Sequence, residues 1–71
     1  MSIIKKGKYR HYKGILYQVI DIARHTETLE DMVIYKALYG DFQIWVRPLK
    51  MFQEDVEVNG KMQKRFEFIQ D

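Results

Sequence analysis

The segment from Arg24 to Thr28 (Arg-His-Thr-Glu-Thr) holds the residues of this chain that are best suited to catalysis. Two threonine hydroxyls stand next to His25 and Glu27 in the sequence. A threonine could act as the nucleophile, His25 as its base and Glu27 as the acid that orients the base. Catalysis would require a hydroxyl within about 3 Å of the imidazole, whereas neighbours on an extended segment point in alternate directions. The other interpretation is that these side chains hold the loop together through bonds to its backbone. A small enzyme using His25 is therefore the least favoured of our three functional hypotheses.

Metal and cofactor chemistry have few candidate residues. The chain contains two histidines and no cysteine, so it lacks the ligands of a structural zinc site. The only serine is Ser2, and the four glycines stand apart from one another instead of forming a phosphate-binding loop. We therefore predict no catalytic residue, no metal site and no cofactor.

The sequence offers more candidate residues for binding than for catalysis, because its ten aromatic residues exceed what so small a core can enclose. Half-exposed rings beside arginine are typical of interfaces, and they favour an unknown protein or peptide as the partner. The candidate ligand surface comprises Arg24, His25, Thr26, Glu27, Thr28, Tyr35, Trp45 and Arg47. The alternative is that Tyr35 and Trp45 belong to the core and that Arg47 pairs with Glu27 or Glu54.

A second partner hypothesis comes from the start of the chain. Residues 1–13 contain five basic residues and no acidic one. Lys5, Lys6, Lys8 and Arg10 could contact the phosphates of a single-stranded nucleic acid while aromatic rings stack on its bases. An ordinary solvated terminus has the same composition, so both interpretations stay open.

The elements that position these residues read as short strands. Alternation predicts strands at residues 7–12, 15–24, 32–39 and 43–47, with turns at Lys13-Gly14 and Gly40-Asp41-Phe42. Pro48 ends the fourth strand and favours a single helical turn over residues 49–52. Asn59-Gly60 is a strong hairpin signal, and we expect residues 56–58 and 64–69 to form that hairpin.

Together these elements predict an all-β fold, a small antiparallel SH3-like barrel, closed or half-closed, with one short helical turn after Pro48. Closing the sheet would leave no exposed edge in a short chain. With 71 residues the chain forms a single domain, residues 1–71, in which we expect residues 1–6 to be flexible. We expect homo-oligomerisation as a way of covering surplus aromatic surface.

The location follows from the absence of targeting signals. No run approaches the roughly 20 apolar residues of a membrane span, and the start lacks a signal-peptide pattern. We expect a cytoplasmic protein without a membrane partner.

Four short motifs are spread along the chain. They are G-x-Y-x-H-x-K-G-x-x-Y, A-x-H-T-E-T, V-x-Y-x-x-L-Y-G and W-V-R-P-x-x-M-F. Here they are represented by Gly7, Tyr9, His11, Lys13, Gly14 and Tyr17; Ala23, His25, Thr26, Glu27 and Thr28; Val33, Tyr35, Leu38, Tyr39 and Gly40; Trp45, Val46, Arg47, Pro48, Met51 and Phe52. These motifs resemble the bacterial DUF1653 family of small domains of unknown function. The resemblance implies an SH3-like barrel and no particular activity.

Overall fold

The structure is a computed structural model that describes residues 4–70. Its described elements are almost all strands, which confirms the all-β prediction. In chain order they are β1 (Gly7–His11), β2 (Leu16–Arg24), β3 (Asp31–Ala37), β4 (Ile44–Pro48), α1 (Leu49–Phe52), β5 (Asp55–Val58), β6 (Lys61–Lys64) and β7 (Phe66–Gln70).

The main sheet has five antiparallel strands in the order β4-β3-β2-β1-β7. The first four strands follow one another as hairpins, as predicted. The β1–β2 turn uses Gly14 at φ +96°, a conformation that glycine adopts without a steric penalty. The ladder between β2 and β3 shifts register between Val19 and Asp21, and a shift of this kind bends the long strand.

The core lies on one face of this sheet, which we call the inner face. Alternation places Tyr9, Val19, Val33 and Tyr35 there, and all four are buried. Phe66 from β7 and Ala37 from β3 are also buried. The core is therefore largely a cluster of rings, as expected for a domain too small to bury many side chains.

Helix α1 covers part of the inner face. It starts directly after Pro48 and contacts β3 and β4. Its last residue, Phe52, is 1% exposed and stacks on Phe66 with ring centroids 4.1 Å apart and planes 3° apart. The rings of Tyr9 and Tyr35 meet Phe52 edge-on at 5.3 and 5.5 Å. The predicted helical turn after Pro48 is confirmed, and it fills the centre of the core.

The sheet is not closed into a barrel, so of the two predicted forms the closed one is wrong. Strands β4 and β7 form the two ends of the sheet, and no ladder joins them within residues 4–70. Strands β5 and β6 form a separate two-stranded sheet. Because α1 and its Phe52 ring cover part of the inner face, the described sheet buries its core without a ladder of hydrogen bonds between β4 and β7.

The last hairpin also differs from its prediction. Asn59 and Gly60 both have positive φ and turn β5 into β6, as the Asn-Gly signal indicates. However, β6 ends at Lys64, and β7 pairs with β1 instead of extending the hairpin. The apolar rings of β7 explain this, because Phe66 packs against Phe52 and Phe68 packs against Tyr9, whereas β6 is exposed throughout.

The start of the described chain contacts the sheet. Ile4 packs against the core, the Tyr9 hydroxyl donates to the carbonyl oxygen of Lys5 at 2.8 Å, and Lys6 pairs with Asp21 at 3.4 Å. Ser2 and the first part of the segment expected to be flexible lie outside the described residues. Among residues 4–70, no helix is long and apolar enough to cross a membrane.

Replacing Phe52 tests whether its ring stabilises the fold. We expect Phe52→Ala to lower the free energy of unfolding by about 3–5 kcal/mol, since it removes a buried ring and leaves a cavity. Urea unfolding followed by circular dichroism measures this loss.

The matched control is Met51→Ala on the exposed side of the same helical turn, where Met51 is 45% exposed. It should change the free energy of unfolding by less than about 0.5 kcal/mol. Equal effects of the two substitutions would contradict the assigned role of Phe52.

Candidate functional site

The segment from His25 to Glu30 forms the polar loop between β2 and β3. The Nδ1 atom of His25 accepts hydrogen bonds from the backbone amides of Glu27 at 3.1 Å and Thr28 at 3.3 Å. The Oγ1 atom of Thr28 accepts from the Glu30 amide and donates to the Glu30 carboxylate, both at 3.2 Å. These bonds are the local side-chain contacts considered as the alternative to catalysis. They occupy the Nδ1 lone pair of His25, which leaves only Nε2 for contact with a ligand.

Tyr35 and Arg47 meet on the inner face. Tyr35 is buried, and its hydroxyl accepts a hydrogen bond from Nε of Arg47 at 3.3 Å. The guanidinium carbon of Arg47 lies 5.8 Å from the centre of the Phe66 ring, a cation–π distance. Arg47 is therefore held by a hydroxyl and a ring and remains partly exposed.

Trp45 shares a face with Tyr35, because the two residues are directly paired across β3 and β4. Unlike Tyr35, it is 49% exposed. A shallow depression of about 260 Å³ lies beside the indole, lined by Ala37, Tyr39, Gly40, Asp41, Gln43 and Trp45. The alternative that both rings are core residues therefore holds for Tyr35 and fails for Trp45.

The loop and the indole do not form one cleft. The loop ends where β3 begins at Asp31, and Trp45 pairs with Tyr35 four residues further on, about 13 Å along the strand. None of the four main depressions on the described residues is lined by both. Arg24 stays with the loop and pairs with Asp31 at 3.6 Å. The structure thus divides the predicted surface into Arg24 and the loop at one end, and Tyr35, Trp45 and Arg47 across β3 and β4.

The arginines differ in their partners. Arg10, Arg24 and Arg65 each lie within salt-bridge distance of a carboxylate, on Glu67, Asp31 and Glu54. Arg47 has no carboxylate within 4.0 Å among residues 4–70, so the pair with Glu27 or Glu54 that was considered as the alternative is not formed there. Glu54 instead binds Arg65 at 2.6 Å.

Several rings near Arg47 were not predicted to belong to the site. His11 lies edge-on to Phe66 at 5.0 Å, and Tyr17 lies edge-on to Tyr35 at 5.3 Å. Burial, followed by a hydrogen bond with Tyr39, raises the pKa of Tyr17 to about 12. The signal in the sequence was the alternation that places His11 and Tyr17 on the same face as the core.

His11 lies in a positive environment. Its pKa is lowered first by burial and then by the positive charges of Arg65, Lys13 and Arg47. Its Nδ1 atom accepts a hydrogen bond from the Lys13 amide at 3.2 Å. This part of the inner face therefore disfavours an additional positive charge.

Strand β4 is one edge of the main sheet. The amide of Ala37 donates to the carbonyl of Gln43 at 2.9 Å, which fixes this pair as hydrogen-bonded. Because such pairs recur at every second residue, the backbone groups of Trp45 and Arg47 face β3, and those of Ile44 and Val46 face away from the sheet. Ile44 and Val46 are 62% and 60% exposed. The edge thus presents unpaired backbone groups between exposed apolar side chains.

The basic residues near the N-terminus are spread over different contacts. Lys5 lies 5.1 Å from the centre of the Phe68 ring, and Lys6 and Arg10 pair with Asp21 and Glu67. Lys8 and Arg10 alternate with the buried Tyr9, so both project from the outer face of β1. They are separated from the inner-face rings by the sheet.

No metal centre is formed by the described residues. Between residues 4 and 70, no three histidine, aspartate or glutamate side chains are placed to hold an ion.

Comparison with known proteins places the chain in a family. The model of the protein family of unknown function DUF1653 matches residues 7–68, nearly the whole sequence. The chain belongs to the DUF1653 family. A crystal structure of a DUF1653 protein from Bordetella bronchiseptica is similar, with a TM-score of 0.85 and 35% sequence identity over 93% of this chain and 87% of that one. A search of curated proteins gives no match.

The surroundings of His11 predict how stability depends on pH. A histidine whose pKa is lower in the folded than in the unfolded state binds fewer protons when folded, so the free energy of unfolding rises with pH. We expect stability to fall as the pH drops through the ordinary histidine range, near about 6.5.

The substitution His11→Asn should flatten this dependence, since asparagine keeps an acceptor for the Lys13 amide and does not titrate. Urea unfolding of both proteins at several pH values between about 5.5 and 7.5 measures the slopes. Equal slopes would contradict the role given to His11.

Proposed function

We propose that this DUF1653 domain is a non-catalytic binding or adaptor module that takes an extended segment of a partner protein as an additional strand at β4. The observation that carries the proposal is the open β4 edge, with Trp45 and Arg47 on its inner side. In this mode the main chain of the peptide supplies affinity, and its alternate side chains supply specificity.

Pro48 supports the edge assignment. It pairs with Met32, and its nitrogen, like the amides of Ile44 and Val46, is directed away from β3. Proline lacks a donor and is tolerated in a strand where that position faces away from the sheet. The proline therefore costs no hydrogen bond within the main sheet and ends the edge after two available donors.

The side chains of β4 support a partner at this edge. Natural sheets protect free edges with lysine, proline, bulges or inward-pointing charges, and in β4 such residues, Arg47 and Pro48, occupy only the last two positions. The first three residues of β4 are instead Ile44, Trp45 and Val46, each about half-exposed or more. Such an edge is suited to pairing with another strand.

The proposed surface retains three of the predicted ligand residues, Tyr35, Trp45 and Arg47. Arg24 and the loop residues His25, Thr26, Glu27 and Thr28 lie beyond the far end of β3 from Trp45. A segment continuing past Arg47 would run towards that loop, so the loop would contact only the end of a longer ligand.

Binding of single-stranded nucleic acid is the alternative function, and the geometry supports it less. Lys6 and Arg10 each have a carboxylate neighbour, and Lys8 and Arg10 lie on the opposite face from the ring cluster. A nucleic acid that contacted these basic residues and the ring cluster at once would have to pass around an edge of the sheet.

The edge-blocking substitution Val46→Pro tests the proposed mode. It removes the backbone donor that a bound strand would use and leaves the β3–β4 hydrogen bonds in place. Peptides selected by the wild-type domain from a phage-displayed random library should bind this variant more weakly, by about tenfold or more. Fluorescence anisotropy of the labelled peptides measures the difference.

The control is Met62→Ala on the exposed strand β6, which should bind the selected peptides as tightly as the wild type. Urea unfolding verifies that Val46→Pro is folded. Failure to select any peptide, or equal binding by Val46→Pro, would contradict the proposal. Salt-sensitive binding of a labelled single-stranded oligonucleotide by the same samples would favour the alternative.

A further inference from the structure

We infer that the segment bound at β4 carries an acidic side chain opposite Arg47 and an aromatic or large apolar side chain opposite Trp45. This inference rests on the proposed function and specifies the chemistry of the partner. It follows from the state of Arg47 and from the register that an added strand must adopt.

Arg47 differs from the other three arginines in having no carboxylate neighbour within residues 4–70. Its Nε atom donates to Tyr35, and the hydrogen bonds of the described residues supply no acceptor to its two Nη groups. The side chain is also partly buried against the Phe66 ring. Arg47 is therefore a fixed, partly desolvated cation, and the N–H groups on its two Nη atoms have no acceptor among the described residues.

A carboxylate fits this cation best. The planar guanidinium offers paired N–H groups that match the two oxygens of a carboxylate, and charged hydrogen bonds of this kind are the stronger ones. The nearby His11, with its lowered pKa, lies in the same excess of positive charge. An incoming negative charge would reduce this repulsion.

The register determines where the acidic side chain must stand. An added antiparallel strand forms its hydrogen bonds with Ile44 and Val46, which places its next residues directly opposite Trp45 and Arg47. Opposed side chains lie on the same face and close enough to interact. Two residues of the peptide, separated by one, therefore face Trp45 and Arg47 on the inner side.

The residue between them faces Val46 on the outer side, where a β-branched side chain packs well. Read along an antiparallel partner, the pattern is acidic, β-branched, aromatic, as in Glu-Val-Phe. The aromatic ring would occupy the depression beside Trp45.

A second copy of this chain satisfies the pattern less well. Two β4 strands paired antiparallel about Trp45 would place Gln43 of one chain opposite Arg47 of the other. Such a pair supplies no carboxylate. We therefore assign the edge to an acidic peptide and treat self-association as an outcome of the test.

The test uses labelled synthetic peptides with the centres Glu-Val-Phe, Gln-Val-Phe and Lys-Val-Phe in identical neutral flanks. We expect the wild-type domain to bind the Glu peptide about tenfold more tightly than the Gln peptide, and the Lys peptide more weakly still. The substitution Arg47→Glu should reverse the order and favour the Lys peptide. Arg47→Gln should abolish the preference, and it provides a milder change should Arg47→Glu unfold.

The matched control is Arg24→Glu, at the loop end of the sheet, which should leave the wild-type order unchanged. Binding of all three peptides with equal affinity would overturn the inference while the proposed function stands, whereas binding of none would count against both. A shift in preference caused by Arg24→Glu and not by Arg47→Glu would assign the acidic partner to the loop instead.

Two further outcomes would also overturn the inference. A phosphoserine peptide that binds more than about tenfold more tightly than the Glu peptide would identify phosphate as the ligand group. A concentration-dependent dimer that Val46→Pro dissociates, without peptide binding, would assign the edge to a second copy. Sedimentation velocity measures the latter.

Discussion

The parallel stack of Phe52 on Phe66 is the contact on which the rest of this structure depends. It joins the single helical turn to β7, the strand that the chain adds last to the main sheet. Tyr9 and Tyr35 meet the Phe52 ring edge-on from two more strands, so one side chain is in contact with β1, β3 and β7. In a chain of this length, burial of a few large rings has to replace a broad apolar core.

The small size of the core also explains why the sheet stays open. A four-residue helix covers only the middle of the inner face, and the β5–β6 hairpin is largely exposed. Strand β4 is therefore left with Trp45 half-exposed on one side and with Ile44 and Val46 exposed along its outer edge. The features that we propose to bind a partner are the ones that the small core leaves uncovered.

The arginines also differ between the exposed surface and the inner face of the sheet. Arg10 and Arg24 are exposed and paired, a usual arrangement for surface arginines that contributes little to stability. Arg47 is instead fixed between the Tyr35 hydroxyl and the Phe66 ring without a carboxylate among the described residues. Its distinction comes from its position on the inner face, beside Tyr35 and Phe66.

The sequence by itself determined the hairpins from β1 to β4, the Asn59-Gly60 turn and the helical turn after Pro48. It also named Tyr35 and Arg47 as candidate ligand residues, and the structure brings their side chains into contact. The hairpins and turns depend on local alternation and on turn chemistry, which a short stretch of sequence contains. Only the tertiary structure decided that the sheet does not close, that β7 pairs with β1, and that the His25 loop lies about 13 Å from Trp45 along β3. Those outcomes depend on strand register and on which distant ring reaches Phe66, and neither is encoded in the spacing of neighbouring residues.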